Sequence, residues 1–285
     1  MLVKSIWHST PDDSSAATLF TRCEQVLPTG EMHLVLRLDG PALRLYDATA
    51  QMWRTLSSQA LVGGARSAGY LRDVSQPVRS VGAQLSPGAA ALLLGESAAR
   101  LAHAHAPLQA FWGSRTGEAI ERLQACESPA ACLQLFEQLL VERLLCPVSH
   151  TSEAARHVVA HAALQLARGH GVAEVARCSG YSARHFAACF EEFSGLRPKQ
   201  FSRLARFQRL LGLAHGDGAA DWSQCALTAG YADQAHMARE FRSFAALTPG
   251  QWQASVGNSP NHVPLVRWRH PSQVNFVQDE RSQAT

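Results

Sequence analysis

Two stretches of the chain, VARCSGYS (residues 175–182) and CALTAGYA (residues 225–232), repeat one pattern. Each is followed at similar spacing by two Phe residues, a Leu and a Pro: Phe190, Phe193, Leu196 and Pro198 after the first, and Phe241, Phe244, Leu247 and Pro249 after the second. Self-similarity over this length indicates two copies of one supersecondary unit.

Each copy predicts two helices joined by a tight turn. A short helix (172–178, or 222–228) stops at a Gly, which accepts a left-handed backbone without steric cost. A second helix follows, with its aromatic residues at helical spacing and therefore on one buried stripe. The opposite face is predicted to be exposed, with Ala183, Arg184, Ala187 and Ala188 in the first copy and Gln234, Ala235, His236, Ala238 and Arg239 in the second.

Such a helical hairpin has two interpretations. A single hairpin is more often plain scaffold than a DNA reader. Two copies with matching turns, in a basic segment, favour helix-turn-helix units whose second helix enters the DNA major groove.

The second copy carries a family resemblance. GYADQAH (230–236), REFR (239–242) and LTP (247–249) resemble the signature of the AraC/XylS family of bacterial transcription regulators, and the similarity covers about residues 152–252. The resemblance implies two helix-turn-helix units joined by one long helix and entering successive major grooves. It also implies double-stranded promoter DNA as a partner, with RNA polymerase as a further one.

The segment between the two copies allows this geometry. A helix from Pro198 to about Ala214 would be roughly 25 Å long, which is comparable with the ~34 Å between successive major-groove faces. Both Pro198 and Pro249 stand where a helix can begin. Thr248 is a good N-cap for the second of these helices, whereas Arg197 is a poor one for the first.

The side chains of the exposed faces predict how DNA is read. Arg239 can make a forked contact to guanine, Gln234 can pair with adenine, and His236 can reach a base edge or a phosphate. The first unit offers fewer long side chains, so we expect sequence discrimination to rest more on the second unit. The predicted DNA-binding residues are Ser182, Arg184, His185, Ala187, Ala188, Gln234, Ala235, His236 and Arg239, with Lys199 and Arg203 as phosphate contacts.

Composition limits the class of protein. A net charge of +3 is too small to indicate nucleic acid by itself. The sequence has neither an apolar run of membrane-spanning length nor the layout of a signal peptide, so we expect a cytoplasmic protein with no membrane partner. Its 7 cysteines lack a Cys-x-x-Cys pair, which predicts reduced, mostly buried thiols.

The first part of the chain predicts a different architecture, and the whole an α+β protein. Short apolar runs broken by Pro and Gly predict a small mixed β-barrel or sandwich with added helices. The runs are 19–27, 32–38, 43–46, 59–71 and 78–85, and the helices 89–94, 97–104 and 120–145, the last broken at Ser128-Pro129. We divide the chain into an N-terminal β-rich sensory or assembly domain (1–114), a helical linker (115–150), an AraC-type DNA-binding domain (151–255) and a C-terminal tail (256–285).

The N-terminal part also carries a resemblance. The segments 30–36, 81–90, 94–95 and 108–113 are similar to an uncharacterised N-terminal domain found on some AraC-type regulators. By analogy only, such a domain binds a small effector, dimerises, or does both. Two alternatives follow: an effector-responsive regulator, or one whose N-terminal domain only mediates assembly. An apolar helix face that includes Leu123, Phe136 and Leu140 could pack inside the chain or form a homodimer.

No pattern supports catalysis or a metal centre. The sequence lacks a nucleophile elbow, a phosphate-binding loop and a dinucleotide fingerprint, so we expect no enzymatic activity and no cofactor. His103 and His105 fall in a run that looks helical, where their spacing makes them diverge, and no metal site is predicted. His157 and His161 are expected on a solvated helix face, and Cys126 with Cys132 as packed thiols rather than a redox sensor.

The tail contains apolar residues that include Val263 and Trp268. This composition predicts that it folds back onto the N-terminal domain or the connecting helix. The run 274–277 could form a strand.

Overall fold

The computed structural model describes residues 2–265 apart from 11–22, 49, 77, 146–151 and 217–219. The N-terminal part contains two five-stranded antiparallel sheets, with strand orders β1-β8-β3-β6-β9 and β10-β2-β7-β4-β5. The strands are β1 Val3–Ser9, β2 Cys23–Val26, β3 Met32–Arg37, β4 Arg44–Asp47, β5 Met52–Thr55, β6 Ala60–Gly63, β7 Tyr70–Asp73, β8 Ser80–Leu85, β9 His105–Pro107 and β10 His262–Leu265.

Alternation along the strands gives the first sheet two different faces. Leu34 and Leu36 of β3 are fully buried with Val81 and Ala83 of β8, and helix α5 packs over β1 and β8. The residues between them, such as His33, point to the other side because successive strand residues alternate. The apolar core of this domain therefore lies between the first sheet and its helices.

The other elements are helices, and most of them were predicted, although α3 was not and α2 is shorter than the predicted 97–104. They are α1 Ala89–Leu93, α2 Ala98–Leu101, α3 Gln109–Trp112, α4 Arg115–Gln124, α5 Pro129–Leu145, α6 Glu153–Ala167, α7 Val172–Cys178, α8 Ala183–Ser194, α9 Pro198–Ala214, α10 Trp222–Ala229, α11 Gln234–Ala245 and α12 Pro249–Ser255. The mixed β-rich N-terminal part with a helical C-terminal part confirms the predicted fold class.

Some local predictions are confirmed and others are wrong. The break at Ser128-Pro129 separates α4 from α5, and Ser97 caps α2 by accepting from the Ala99 N–H. The run 59–71, which the Gly63-Gly64 pair interrupts, forms two strands, β6 and β7, and these lie in different sheets. Strands β1, β5, β9 and β10 were not predicted, and β9 lies in a run that looks helical.

The apolar face of α4 and α5 is used within the chain. Leu123 and Phe136 are fully buried and Leu140 nearly so. Burial inside the domain therefore accounts for this face, and a homodimer through it stays a prediction.

Strand β10 follows the last helix yet belongs to the N-terminal part. His262–Leu265 pairs with Cys23–Val26 at the edge of the second sheet, and Val263 is fully buried. This pairing confirms that the segment after α12 folds back onto the N-terminal domain. The other predicted strand, 274–277, lies outside the described residues.

An ionic cluster joins β10 to the second sheet. Glu24 of β2 accepts from Arg72 Nε at 2.5 Å, and His262 Nδ1 lies 3.1 Å from its other oxygen. Burial raises the pKa of Glu24, but the hydrogen bond with His262 and the charge of Arg72 outweigh burial and lower this pKa from 4.5 to about 2.

We expect this cluster to make stability depend on pH. Because the folded pKa of Glu24 lies below the unfolded one, its contribution is complete above the unfolded value and is lost as the pH falls toward about 2. The contribution is about 3 kcal/mol at neutral pH. Urea unfolding at pH 5 and pH 3 should show a loss of stability that Glu24→Gln reduces. Equal losses in the two proteins would contradict the assignment.

Candidate nucleic-acid interface

The first helix-turn-helix unit consists of α7, a turn and α8. Gly180 forms the turn with a φ of 74°, a value that favours Gly over any other residue. Ser182 caps α8 by accepting from the N–H of His185. Phe190 and Phe193 are buried, as predicted, and so is Phe186, whereas Tyr181 of the predicted stripe is half-buried.

The second unit repeats this arrangement with α10 and α11. Gly230 turns the chain with a φ of 91°, and Asp233 accepts from the N–H of His236 at 2.6 Å. Phe241 and Phe244 are buried, and Trp252 of α12 is fully buried against Phe241 with 6.0 Å between ring centroids. Thr248 caps α12 through a reciprocal pair of hydrogen bonds with Gln251, as predicted.

The N-caps show which positions of the two recognition helices are equivalent. The turn of the second unit is one residue longer, because α8 begins two residues after Tyr181 and α11 begins three residues after Tyr231. Arg239 is therefore equivalent to Ala188, and His236 to His185. Counting from the turn tyrosines would instead place Gln234 beside Arg184, which is one residue out of register within the helix.

The predicted base-reading residues lie on the outer faces of α8 and α11. Those exposed are Ser182, Arg184, His185, Ala188, Gln234, Ala235 and Arg239, whereas Ala187 and His236 are half-buried. The two histidines pack edge-on against the turn tyrosines, His185 on Tyr181 at 4.5 Å and His236 on Tyr231 at 5.4 Å between ring centroids. The longest free side chains are thus Arg184 in the first unit and Gln234 and Arg239 in the second.

Helix α9 joins the units and spans 17 residues, with the predicted bounds. Arg197 makes no side-chain cap at its start, again as predicted, although its N–H donates to Gln200 Oε1 at 3.3 Å. Of the two predicted phosphate contacts near this end, Lys199 is exposed and Arg203 is half-buried.

Arg203 has an acidic partner that the sequence did not suggest. Its Nε donates to Glu240 Oε1 at 2.7 Å, and Arg206 donates to both oxygens of the same carboxylate. The Glu240 side chain is only 5% exposed. Since Glu240 belongs to α11, this buried ion cluster fixes the second recognition helix to the connecting helix.

A basic cavity adjoins the cluster. It has a volume of about 310 Å³ and is lined mainly by Arg168, Arg206 and Arg209, with the backbone around Gly230 at its rim. Arg209 donates to the carbonyl oxygens of Ala167 and Ala229, which end α6 and α10. These arginines are spread over more than 40 positions of sequence, so their convergence was not predicted.

The N-terminal part contacts the carboxyl end of each recognition helix. The Phe193 carbonyl of α8 accepts from the Gly88 N–H at 2.8 Å, and the Ala245 carbonyl of α11 accepts from the buried Gln25 side chain at 2.7 Å. The last carbonyl groups of a helix have no partner within it. Both helices are therefore completed by the other domain.

The remaining candidate residues are dispersed. His103 has a positive φ and His105 lies on β9, so the helical interpretation of that run was wrong. Within the described ranges, no group of three His, Cys, Asp or Glu side chains is placed to hold a metal ion. His157 and His161 are exposed on α6, as predicted.

The cysteines differ from expectation. Of the described ones only Cys23 and Cys132 are buried, whereas Cys126, Cys189 and Cys225 are half-buried and Cys178 is exposed. The prediction of mostly buried thiols is therefore wrong. Among the helices of the described residues, none is long and apolar enough to cross a bilayer.

Comparisons with known proteins agree with this geometry. Residues 175–255 match a family model described as a helix-turn-helix domain, and residues 1–107 match a domain of unknown function (DUF6597). No curated protein matches the chain.

Similar solved structures include ToxT from Vibrio cholerae, at 11% identity and a TM-score of 0.45 over 88% of this chain and 97% of that one. A ToxT structure with bound unsaturated fatty acid has 12% identity and a TM-score of 0.42, over 91% and 96%. Because these TM-scores are low, the assignment of a helix-turn-helix domain rests on the family model and on the arrangement of the helices.

Proposed function

Residues 175–255 form an AraC-type helix-turn-helix domain, and on this premise we propose that the chain is a DNA-binding transcription regulator that places α8 and α11 in successive major grooves of promoter DNA. The observation that carries this proposal is the pair of capped helices with exposed outer faces, joined by one connecting helix of ~25 Å. We further propose that it acts in the cytoplasm, with RNA polymerase as a partner.

The two units are proposed to divide the recognition of DNA. Arg239 and Gln234 project from the second unit and supply donors and acceptors for base edges. The equivalent of Arg239 in the first unit is Ala188, which offers no more than contact with a thymine methyl group. The first unit therefore contributes mainly position and shape readout, with Arg184 as its one long reader among the predicted residues.

Arg239→Ala tests this division. We expect it to weaken binding to the selected DNA site by about 1–3 kcal/mol and to relax one base position. Fluorescence anisotropy with the selected site and with single-base variants measures both effects. Arg100→Ala, which removes the same charge from an exposed site in the N-terminal domain, should bind as the native protein does.

Uniform weakening of Arg239→Ala on every DNA sequence would contradict the role in base readout. Such a result would instead make Arg239 a phosphate contact.

We propose that an effector bound by the N-terminal domain controls DNA binding. The support is that this domain completes the carboxyl ends of both recognition helices, through Gly88 and Gln25. A ligand that shifted either contact would change the relative positions of α8 and α11. The alternative is a domain that serves only assembly, for which no small molecule would change DNA binding.

A further inference from the structure

The inner face of the first sheet is polar, unlike the apolar face beneath its helices. One row of paired residues crosses the sheet from β1 to β9: Ser5, Gln84, His33, Gly63 and His105. Since side chains alternate along a strand, this row points away from the apolar core and toward the second sheet. A sandwich that buries only apolar side chains would not place such a row there.

Two glycines allow aromatic rings to lie flat on this face. A Cβ at Gly63 would come within 2.1 Å of the His33 ring, and a Cβ at Gly82 within 2.3 Å of the Trp7 ring. His33 therefore covers β6 and Trp7 covers β8. Val35 pairs with Gly82, so an apolar patch lies beside the polar row.

The second sheet contributes a tyrosine and the connecting loop an arginine. Tyr70 of β7 meets the His105 ring edge-on at 5.1 Å between centroids, which brings the two sheets together here. The Arg66 guanidinium lies over the Tyr70 ring at 4.5 Å, and its Nη2 contacts the Ala104 carbonyl and His105 Nδ1. These side chains are half-buried, so part of each one remains accessible to solvent.

Arg66 carries a charge that the described residues do not balance. No described carboxylate forms an ion pair with it, and its Nε is buried without a hydrogen-bond partner. Burial and the charges of Arg66 and Arg72 lower the pKa of His33 to about 4, so this imidazole is neutral near pH 7. Removing part of a charged group from water without a counter-ion costs free energy, so an anion beside this half-buried arginine would be stabilised.

Several polar atoms remain available to such a partner. Within the described part of the chain, neither the Tyr70 hydroxyl nor the ring nitrogens of His33 make a hydrogen bond. Burial raises the pKa of Tyr70, so its hydroxyl keeps its proton and can donate. Two donors beside one cation match the oxygens of an anionic group.

We propose that the region beside Arg66, where the two sheets face each other, binds a small molecule with an anionic oxygen group, carboxylate or phosphate, which pairs with Arg66 and accepts hydrogen bonds from Tyr70 and His33 while its apolar part lies on Trp7. This inference rests on the proposed function, because it assigns the effector site of the regulator. His262 of β10 contacts Glu24 and Arg72, and Arg72 lies two residues from Tyr70 on the same face of the second sheet. The strand that follows the second unit thus connects the ligand site with the DNA-binding helices.

Thermal unfolding of the full chain tests the site. The probes are sodium benzoate, sodium octanoate and inorganic phosphate, with benzyl alcohol as an uncharged analogue, all at one ionic strength. An anion at ten times its Kd should raise the Tm by about 3 °C or more, whereas benzyl alcohol should not. A response to the carboxylates or to phosphate identifies which group the site accepts.

Two variants and a control make the result specific. Arg66→Met should abolish the shift, and Arg54→Met, an exposed arginine on β5, should retain it. Tyr70→Phe keeps the ring and should weaken anion binding about tenfold. A shift that persists in Arg66→Met, an equal shift with benzyl alcohol, or no shift with any anion would overturn the proposal.

Fluorescence anisotropy with DNA, measured on the same samples, tests the proposed DNA-binding function independently of the ligand site. DNA binding without any anion response would contradict only the proposed ligand site. An anion response without DNA binding would contradict the proposed function and still support the ligand site.

Discussion

Glu240→Ala is expected to lower the free energy of unfolding by about 2–4 kcal/mol, slightly less than the ~3–5 kcal/mol for breaking a fully buried ion pair. Glu240 is 5% exposed and accepts from Arg203 and Arg206, which are 42% and 24% exposed. Removing the carboxylate leaves two arginines side by side, and their partial exposure reduces the cost below that of a fully buried pair.

The same substitution should weaken DNA binding although Glu240 faces away from the exposed surface. The carboxylate holds α11 against α9, and thereby fixes the position of Arg239 relative to the first unit. Loss of this contact lets the second recognition helix move, so affinity for a two-groove site should fall more than affinity for a single half-site.

Urea unfolding and anisotropy measure the two effects, and the chain offers a matched control. Glu191→Ala breaks an exposed ion pair with Arg197 at 3.6 Å, which should cost less than about 1 kcal/mol. Glu240→Gln retains the acceptor oxygen and should recover part of the stability. If Glu240→Ala were no more destabilising than Glu191→Ala, the cluster would have no structural role.

The helical half of the molecule could be predicted from local signals. Gly180 and Gly230 end helices in a left-handed conformation, and Pro198 and Pro249 begin them. These signals act within a few residues, so the bounds of α7 and α9 agree with the sequence. The one-residue difference between the turns was not predicted, because Ala232 follows Tyr231 as Ser182 follows Tyr181. The residue that caps α11 is nevertheless Asp233.

Contacts between residues far apart in the sequence could not be predicted in this way. Glu240 lies among exposed charges in the sequence, and its burial follows from where α9 passes. Strand β10 pairs with β2 across more than 200 positions, and the polar row through His33 depends on the register of five strands. Long-range pairing of this kind leaves no periodic signal in either segment.

The spacing between the two recognition helices leads to the largest expected effect on DNA binding. Two linked modules that bind together exceed either one alone by about 10²–10⁴ in affinity, provided that the geometry permits both contacts. Successive major grooves on one face of the duplex lie about 10–10.5 base pairs apart. An insertion of about half a helical turn moves one half-site to the opposite face, where a connecting helix of ~25 Å cannot reach it.

The simultaneous binding of both units is tested most directly with a series of DNA sites that differ only in this spacing. We expect an insertion of about 5 base pairs between the half-sites to weaken binding at least about 100-fold, and an insertion of about 10 to weaken it as much, because α9 has a fixed length. Anisotropy at constant salt measures each affinity. Equal affinity across the series would contradict the account, because it would mean that only one of the two units contacts DNA at a time.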